Sequence, residues 1–211
     1  MVALSRDPAG VLFDVDGVLL NSIPAYRQAW SAWAAEYGIG MDALWATANG
    51  RRPIDIIHLN APQVNERAAL QRIEELIATE YERVPAMAGA RDLLQRIPAT
   101  WAVVTSGSQA LVQRAFRRLD LPVPRIGVYG ADVADGKPNP ACYQLAAQCL
   151  DLDPTACVVV EDAPNGVAAG KAAGMTVVAV TTTHAAGQLR QADLVVSSLY
   201  EVAEAVLHLT S

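Results

Sequence analysis

Pairs of acidic residues follow two of the short apolar runs in this sequence. Asp14 and Asp16 come directly after one run, and Glu161 and Asp162 come directly after another. If both runs are parallel strands, their carboxyl ends meet at the edge of the sheet where ligands bind, and the four side chains lie close together. Crowded carboxylates repel one another unless a cation holds them. Mg²⁺ is the natural candidate, because it takes oxygen ligands and keeps waters for substrate oxygens.

Two further segments add positive potential at the same predicted edge. Ser106 and Gly107 follow the apolar run Trp101–Val104 and precede a helical pattern. Backbone N–H groups at a helix N-terminus favour an anion, and Lys137 adds a point charge. Metal, helix N-terminus and lysine in one crevice predict a phosphate site, where a carboxylate can act as the nucleophile in aspartyl-phosphate chemistry.

Each of these residues also has an ordinary interpretation. Asp16-Gly17 is a common turn dipeptide. Ser106 and Asp162 could each cap a helix, and Lys137 could be a solvated loop charge. The ordinary interpretations fail when they are taken together, because four crowded carboxylates need a cation. We therefore favour a metal and phosphate site.

Continuous apolar runs alternate with helical patterns through most of the chain. Runs without polar alternation suit strands that are covered on both faces, as in a parallel sheet. The alternation predicts an α/β fold with a doubly wound, Rossmann-like parallel sheet. The predicted strands are Val11–Phe13, Trp101–Val104, Cys157–Val160, Thr176–Val180 and Leu194–Val196, with Ile126–Tyr129 as a weaker sixth. The predicted helices are Ala90–Ile97, Gln109–Leu119, Asn139–Leu150 and Asn165–Ala173.

Residues 21–84 interrupt this alternation. They contain no strand-like run, and Ala25–Tyr37 and Glu66–Arg83 have amphipathic helical patterns. We expect a small all-helical cap domain inserted into the α/β core, with its two ends close together near Leu20 and Pro85. The predicted boundaries are 1–20 and 85–211 for the core and 21–84 for the cap.

Composition narrows the range of partners. The 211 residues carry 16 basic and 22 acidic side chains, a net charge of −6, which disfavours binding to nucleic-acid phosphates. A local cationic cluster can still bind a small phosphorylated substrate. Three cysteines in apolar runs favour buried thiols in a reducing cytoplasm. The apolar runs are far shorter than the roughly 20 residues of a membrane helix, so we expect no membrane partner. We also expect a cytoplasmic protein that is a monomer or a weak dimer.

Four segments together resemble the motifs of the haloacid dehalogenase superfamily of phosphotransferases, across essentially the whole chain. They are Asp14-Val15-Asp16-Gly17-Val18, Ser106, Lys137 in Gly-Lys-Pro-Asn-Pro, and Glu161-Asp162. The stretches around them look like those of sugar-phosphate and glycerol-phosphate phosphatases, which carry a small helical cap between the first two motifs. Asn21 departs from the pattern, because many relatives have Asp there.

The resemblance implies a catalytic and a metal-binding set. Asp14 would attack the phosphorus and carry the aspartyl-phosphate. Asp16 would protonate the leaving oxygen and then deprotonate the attacking water. Mg²⁺ would be held by the Asp14 carboxylate, the Asp16 backbone carbonyl and Asp162. Glu161 would support the metal directly or through water.

The resemblance also implies contacts with the substrate. Ser106, the Gly107 N–H and Lys137 would hold the phosphoryl oxygens, which agrees with the need of phosphoryl transfer for neutralised equatorial charge. Arg51 and Arg52 form the most cationic loop of the predicted cap, where relatives place substrate-contacting residues. We expect at least one of the two to bind substrate, the alternative being that both are exposed surface charges.

Two enzyme functions and one binding function remain open. The leading hypothesis is a Mg²⁺-dependent phosphatase of a small sugar or polyol phosphate. The second is a sugar phosphomutase of the β-phosphoglucomutase type, whose pattern has a cap histidine and a cap arginine where this chain has Tyr26 and Pro53. The third is a non-catalytic phosphometabolite-binding module, which the Asp14 and Asp16 pair disfavours, because a pure binder needs no paired acid and nucleophile.

Overall fold

A single sheet of parallel strands organises the chain. The computed structural model describes residues 8–48, 50–97 and 100–207. Its strands are β1 (Gly10–Phe13), β2 (Thr100–Val104), β3 (Gly127–Val128), β4 (Cys157–Glu161), β5 (Thr176–Val180) and β6 (Leu194–Val196). Their spatial order is β3-β2-β1-β4-β5-β6, so the chain order reverses beside β1. The predicted α/β fold with a doubly wound parallel sheet is confirmed, and the reversal creates a crevice of the kind in which ligands bind.

The register of the central strands places the first acidic motif beside the last. β1 and β4 are buried along their whole length, which explains their continuous apolar sequence. Phe13 of β1 pairs with Val103 of β2 on one side and with Val160 of β4 on the other. The N–H of Asp14 donates to the carbonyl of Val160 at 2.9 Å. Asp14 and Glu161 therefore leave the sheet side by side.

A helical insertion follows β1, as the sequence predicts. We use the name insertion for residues 21–84, whose helices are α1 (Ile23–Tyr37), α2 (Met41–Ala48), α3 (Pro53–Asn60) and α4 (Glu66–Tyr81). Sequence patterns identify α1 and α4 but not α2 and α3. Each of these two helices has eight residues, which is too short for apolar periodicity to be informative. Pro53, which suggests a break, is instead the first residue of α3, a position that tolerates proline.

The two ends of the insertion meet, which confirms the expectation that they lie close together. The N–H of Asn21 donates to the carbonyl of Pro85 at 2.9 Å. Leu20 forms an isolated antiparallel bridge with Ala86. The chain thus enters and leaves the insertion through two adjacent linkers, which we call the first linker (residues 20–22) and the second linker (residues 82–86).

Buried side chains join the insertion to the sheet. One continuous apolar cluster contains Phe13 of β1 and Trp33 of α1. Within the insertion, the Trp33 indole N–H donates to the carbonyl of Ala69 in α4 at 2.9 Å. The apolar cluster continues across residues 20–22 and 82–86, so packing does not mark a boundary there. The domain boundaries at 21 and 84 therefore stay a prediction.

The remaining helices cover the two faces of the sheet. They are α5 (Ala90–Arg96), α6 (Gln109–Arg118), α7 (Ala141–Cys149), α8 (Pro164–Ala172) and α9 (Leu199–Leu207). The sequence analysis predicts all of them except α9. In the part of the chain that the structure describes, no helix is long and apolar enough to cross a lipid bilayer.

Close packing of α8 on the sheet leads to a stability prediction. A Cβ at Gly170 would lie 2.8 Å from Val177 Cγ2 and 3.3 Å from Val159 Cγ1, so Gly170→Ala must push α8 away from β4 and β5. We expect it to lower the free energy of unfolding by about 1–3 kcal/mol, measured by urea denaturation. Gly187→Ala is the matched control, because a Cβ there meets nothing within 4 Å. Equal stability of the two variants would contradict this account of the packing.

Candidate active site

A sharp turn after β1 brings Asp14 and Asp16 to the edge of the sheet. Gly17 follows them with a φ of 89°, in the left-handed region that favours glycine. A side chain at Gly17 would also overlap the carboxylate of Asp162. Gly17 is therefore needed both for the turn and for the close approach of the second acidic motif to the first.

Lys137 forms buried ion pairs with two of the carboxylates. Its Nζ lies 2.5 Å from Asp14 Oδ1 and 2.7 Å from Glu161 Oε1. It also donates to the carbonyl of Val104, the last residue of β2, at 3.1 Å. Burial alone lowers the pKa of the Lys137 ammonium, but the charges of Asp14 and Glu161 raise this pKa well above its usual value. Lys137 is therefore a fixed positive charge where β1, β2 and β4 end.

Three buried carboxylates form a candidate metal centre. Oxygens of Asp14, Glu161 and Asp162 lie within 4.8 Å of one another. Burial raises the pKa of Asp14 to about 8, although Lys137 opposes this shift. The pKa of Asp162 is raised well above its usual value, first by burial and then by the charges of Glu161 and Asp14. One lysine does not balance three carboxylates, and an all-oxygen set of donors suits Mg²⁺.

Within this cluster, both carboxylate oxygens of Glu161 accept hydrogen bonds from neighbouring residues. Its Oε1 accepts hydrogen bonds from Lys137 at 2.7 Å and from the Tyr143 hydroxyl at 2.8 Å. Its Oε2 accepts from the N–H groups of the next two residues at 2.9 and 3.2 Å. Gly166 of α8 makes room for it, because a side chain there would overlap the Glu161 carboxylate. With both oxygens engaged, Glu161 is better placed to support the metal through its neighbours than to bind it directly.

The loop after β5 holds the Asp162 side of the cluster. The Thr183 hydroxyl donates to Asp162 Oδ2 at 2.5 Å, and Nδ1 of His184 lies 3.0 Å from the Asp162 carbonyl oxygen. The Thr182 hydroxyl donates to the Gly17 carbonyl at 2.6 Å. The sequence analysis assigns these residues no role in the site. They follow an apolar strand, however, and that is the same signal that identifies Asp14.

Four hydroxyl groups surround the carboxylate of Asp16. Oδ1 accepts from Ser22 at 2.6 Å and from Tyr81 at 2.7 Å. Oδ2 accepts from Thr105 at 3.1 Å and from Tyr26 at 3.4 Å. Burial and the charge of Asp16 raise the pKa of both tyrosines well above the usual value, so they stay protonated and donate. Of these five residues, the sequence analysis identifies only Asp16 as a site residue.

The predicted phosphate loop lies at the N-terminus of α6. The Ser106 hydroxyl donates to the carbonyl of Gly50 in the insertion at 3.0 Å. The Gly107 N–H donates to the Thr105 hydroxyl at 2.9 Å. Both donors must exchange these partners for phosphoryl oxygens if they are to bind phosphate. Their phosphate-binding role stays a prediction.

A pocket lies between the insertion and the edge of the sheet. Its volume is about 60 Å³, which holds only a few waters at roughly 10–15 Å³ each. The sheet side of the pocket is formed by Asp14, Asp16, Ser106, Glu161, Asp162 and Ala163. The insertion side is formed by Ile23, Tyr26, Trp30, Trp45, Ala48, Gly50, Arg51, Pro53 and Ile56.

The two arginines of the insertion loop have different surroundings. Arg51 lines the pocket, and its Nε is buried with no hydrogen-bond partner among the residues that the structure describes. Arg52 instead pairs with Asp55 through Nε and Nη2, both at 2.7 Å. Its Nη1 donates to the carbonyl of Val133 outside the insertion at 2.8 Å. The geometry favours Arg51 as the substrate contact and Arg52 as a link between the insertion and the rest of the protein.

Comparison with known sequences points to one family. The model of the haloacid dehalogenase-like hydrolases matches residues 8–174. Relatives include hexitol phosphatase A of Escherichia coli, 40% identical over 199 residues and covering 92% of each chain. Validoxylamine A 7'-phosphate phosphatase of Streptomyces hygroscopicus is 34% identical, covering 90% of this chain and 94% of that protein. For 2-deoxyglucose-6-phosphate phosphatase 1 of Saccharomyces cerevisiae the values are 32%, 90% and 88%.

Solved structures share the fold. A hydrolase of this family from Deinococcus radiodurans, with bound phosphate and sodium, has a TM-score of 0.71 at 28% identity, covering 96% of this chain and 97% of that one. β-Phosphoglucomutase from Clostridium difficile has a TM-score of 0.83, covering 95% of this chain and 98% of that one. Its identity of 17% shows a common fold alone.

The acidic cluster predicts a measurable Mg²⁺ site. Asp162→Asn removes one charge from the cluster, so we expect Mg²⁺ affinity measured by isothermal titration calorimetry to fall about tenfold or more. Asp120→Asn is the control, because Asp120 is exposed and pairs with Arg91 on the surface. A wild-type protein that binds no Mg²⁺, or an Asp162→Asn variant that binds it as tightly as Asp120→Asn, would contradict this assignment.

Proposed function

The chain belongs to the haloacid dehalogenase-like hydrolase family, and we propose that it is a Mg²⁺-dependent phosphatase that hydrolyses a small sugar or polyol phosphate. The observation that carries the proposal is that Asp14 and Asp16 line one pocket beside a cluster of buried carboxylates, with Lys137 paired to Asp14 behind it. The names of the relatives, which include a hexitol phosphatase and a 2-deoxyglucose-6-phosphate phosphatase, support the reaction and the substrate class.

Asp14 is the proposed nucleophile. Its carboxylate attacks the phosphorus, the bond from phosphorus to the ester oxygen breaks, and an aspartyl-phosphate forms. Lys137, 2.5 Å from Asp14 Oδ1, favours the ionised form of this carboxyl group against the effect of burial and adds positive potential beside the phosphoryl group. Mg²⁺, when bound by Asp14, Asp162 and the Asp16 carbonyl, supplies further neutralisation of the phosphoryl oxygens.

Asp16 is the proposed acid and base. In the first step its proton goes to the leaving oxygen, which departs as the free sugar or polyol. In the second step the Asp16 carboxylate takes a proton from water, and the water oxygen attacks the phosphorus of the aspartyl-phosphate. This releases inorganic phosphate and restores both aspartates to their starting forms.

A phosphomutase is the second candidate, because structures named β-phosphoglucomutase share the fold. A mutase must hold a second phosphate remotely and protect the aspartyl-phosphate from water until the sugar phosphate returns. At the positions of the mutase histidine and arginine this chain has Tyr26 and Pro53, and both line the pocket. A tyrosine that donates to Asp16 and a proline without an N–H cannot bind a second phosphate as those cations do. This favours water as the acceptor.

We also propose a cytoplasmic location and a monomeric or weakly dimeric state. The thiols of Cys142, Cys149 and Cys157 are free, which supports a reducing compartment. Among the residues that the structure describes, the large exposed apolar side chains are Leu59 and Tyr200, both 56% exposed, and Val123, which is 43% exposed. They come from different parts of the chain, and single exposed apolar residues are normal for a monomer.

The proposal predicts a specific activity. With Mg²⁺, the wild-type protein should release inorganic phosphate from members of a panel of hexose and polyol phosphates. Asp14→Asn should lower turnover by about 10³-fold or more, because an amide is neither a nucleophile nor a good metal ligand. Phosphate release is measured colorimetrically, and Asp120→Asn, with its exposed side chain, is the matched control. Near-normal turnover by folded Asp14→Asn would overturn the aspartyl-phosphate mechanism.

The same preparation separates hydrolysis from transfer. β-Glucose 1-phosphate with a catalytic amount of the 1,6-bisphosphate is followed by ³¹P NMR. We expect inorganic phosphate to appear with little glucose 6-phosphate. Rapid formation of glucose 6-phosphate without matching phosphate release would establish the mutase in place of the phosphatase.

The two insertion arginines give a second prediction for this function. Arg51→Ala should raise the KM of good sugar phosphates by about 10-fold to 100-fold, the loss of one hydrogen bond to a charged group, and should raise the KM of p-nitrophenyl phosphate much less. Arg52→Ala releases Asp55 and the Val133 carbonyl, so it should lower Tm and affect both substrates alike. If Arg51→Ala and Arg52→Ala changed the two KM values in the same way, Arg51 would not be the substrate contact.

A further inference from the structure

The two oxygens of the Asp16 carboxylate have different partners. Oδ1 accepts hydrogen bonds from Ser22 at 2.6 Å and from Tyr81 at 2.7 Å. Oδ2 accepts longer hydrogen bonds from Thr105 at 3.1 Å and from Tyr26 at 3.4 Å, and a side chain at Gly107 would begin 3.3 Å from this oxygen. Oδ2 therefore faces the predicted phosphate loop, and Oδ1 is the oxygen with the two shorter hydrogen bonds.

The donors to Oδ1 come from the two ends of the insertion. Ser22 lies at the end of the first linker and precedes α1. Tyr81 is the last residue of α4, directly before the second linker. The linkers are joined to each other by the bond from the Asn21 N–H to the Pro85 carbonyl. Sixty-five residues separate Asp16 from Tyr81 in the sequence, so the contact exists only when α4 packs against the edge of the sheet.

We propose that Tyr81 is a positioning residue for the acid and base Asp16, fixing Oδ1 so that Oδ2 alone exchanges protons with the substrate and water. The inference rests on the proposed phosphatase function and deepens it. Ser22 shares the same task from the first linker. The position of α4 thereby sets the orientation of the group that transfers the proton.

The arrangement suits both halves of the reaction. In the first half Oδ2 carries the proton and passes it to the leaving oxygen. In the second half the ionised carboxylate accepts a proton from water at Oδ2. Hydroxyl groups that donate to Oδ1 make the same hydrogen bonds in either protonation state. The carboxyl group therefore keeps its orientation while it gains and loses the proton.

The ring and the hydroxyl of Tyr81 can be tested separately. The side chain is buried, and its ring packs edge-on against Tyr26 with 5.9 Å between centroids. Tyr81→Phe keeps this packing and removes only the donor to Oδ1. Tyr37→Phe is the control, because Tyr37 is another tyrosine of the insertion and its ring stacks on Trp33 at 4.5 Å.

The experiment compares two leaving groups in single-turnover and pre-steady-state kinetics. An alkyl phosphate such as a hexitol phosphate needs protonation of its leaving oxygen, whereas p-nitrophenolate leaves without it. In Tyr81→Phe we expect formation of the aspartyl-phosphate from the alkyl phosphate to slow about tenfold, with KM unchanged. Release of p-nitrophenolate in the first turnover should change by less than about twofold, while hydrolysis of the intermediate slows about tenfold. Ser22→Ala should give the same pattern and serves as the second variant if Tyr81→Phe is unstable.

Three outcomes would contradict the inference. If Tyr81→Phe and Ser22→Ala behave like Tyr37→Phe, neither hydroxyl positions Asp16. If they slow both leaving groups equally or raise KM, their role is structural. If the wild-type protein turns over no phosphate monoester at all, the proposed function fails and the role of Tyr81 fails with it. The first two outcomes leave the phosphatase function intact.

Discussion

The fold depends on the burial of charge at the carboxyl end of β1. Asp14, Glu161 and Lys137 are all buried, and removing such groups from water costs several kcal/mol per ion unless they are paired. The Lys137 ammonium group donates to both carboxylates and to the Val104 carbonyl, so its three N–H donors are all used. The site is thus held by interactions that are strong only if every member is present.

The sheet and its glycines make this charge cluster possible. Parallel register sets Asp14 beside Glu161 at the topological switch between β1 and β4. The carboxylates of Asp162 and Glu161 lie so close to two glycines that a side chain at either glycine would overlap them. Gly17 and Gly166 leave that space. A Cβ at either position would displace a carboxylate from the cluster and leave Lys137 or the metal with fewer partners, so we regard these glycines as part of the site.

The insertion contributes hydrogen-bonding groups to the candidate site as well as covering the edge of the sheet. It supplies three hydroxyl groups to Asp16, from Ser22, Tyr26 and Tyr81. It also supplies the Gly50 carbonyl to Ser106 and Arg52 to a loop beyond β3. These polar contacts cross from the insertion to the sheet edge above a continuous apolar cluster. The apolar packing keeps the insertion against the sheet. The polar contacts of the insertion thus reach both Asp16 and the predicted phosphate loop.

Local sequence determines the strands and the residues that directly follow them. Continuous apolar runs mark the buried strands, and because parallel strands end at one edge, the sequence predicts that Asp14 and Glu161 lie together. Lys137 lies in a loop nine residues beyond β3, so its place in the cluster is predicted only by the family motif. The short helices α2 and α3 have too few turns for periodicity to show. Tyr81 cannot be found in this way, and the position of Thr183 after β5 does not by itself show that it contacts Asp162. Their hydroxyl groups reach Asp16 and Asp162 across 65 and 21 residues, and only the packing of α4 and of the loop after β5 decides those contacts.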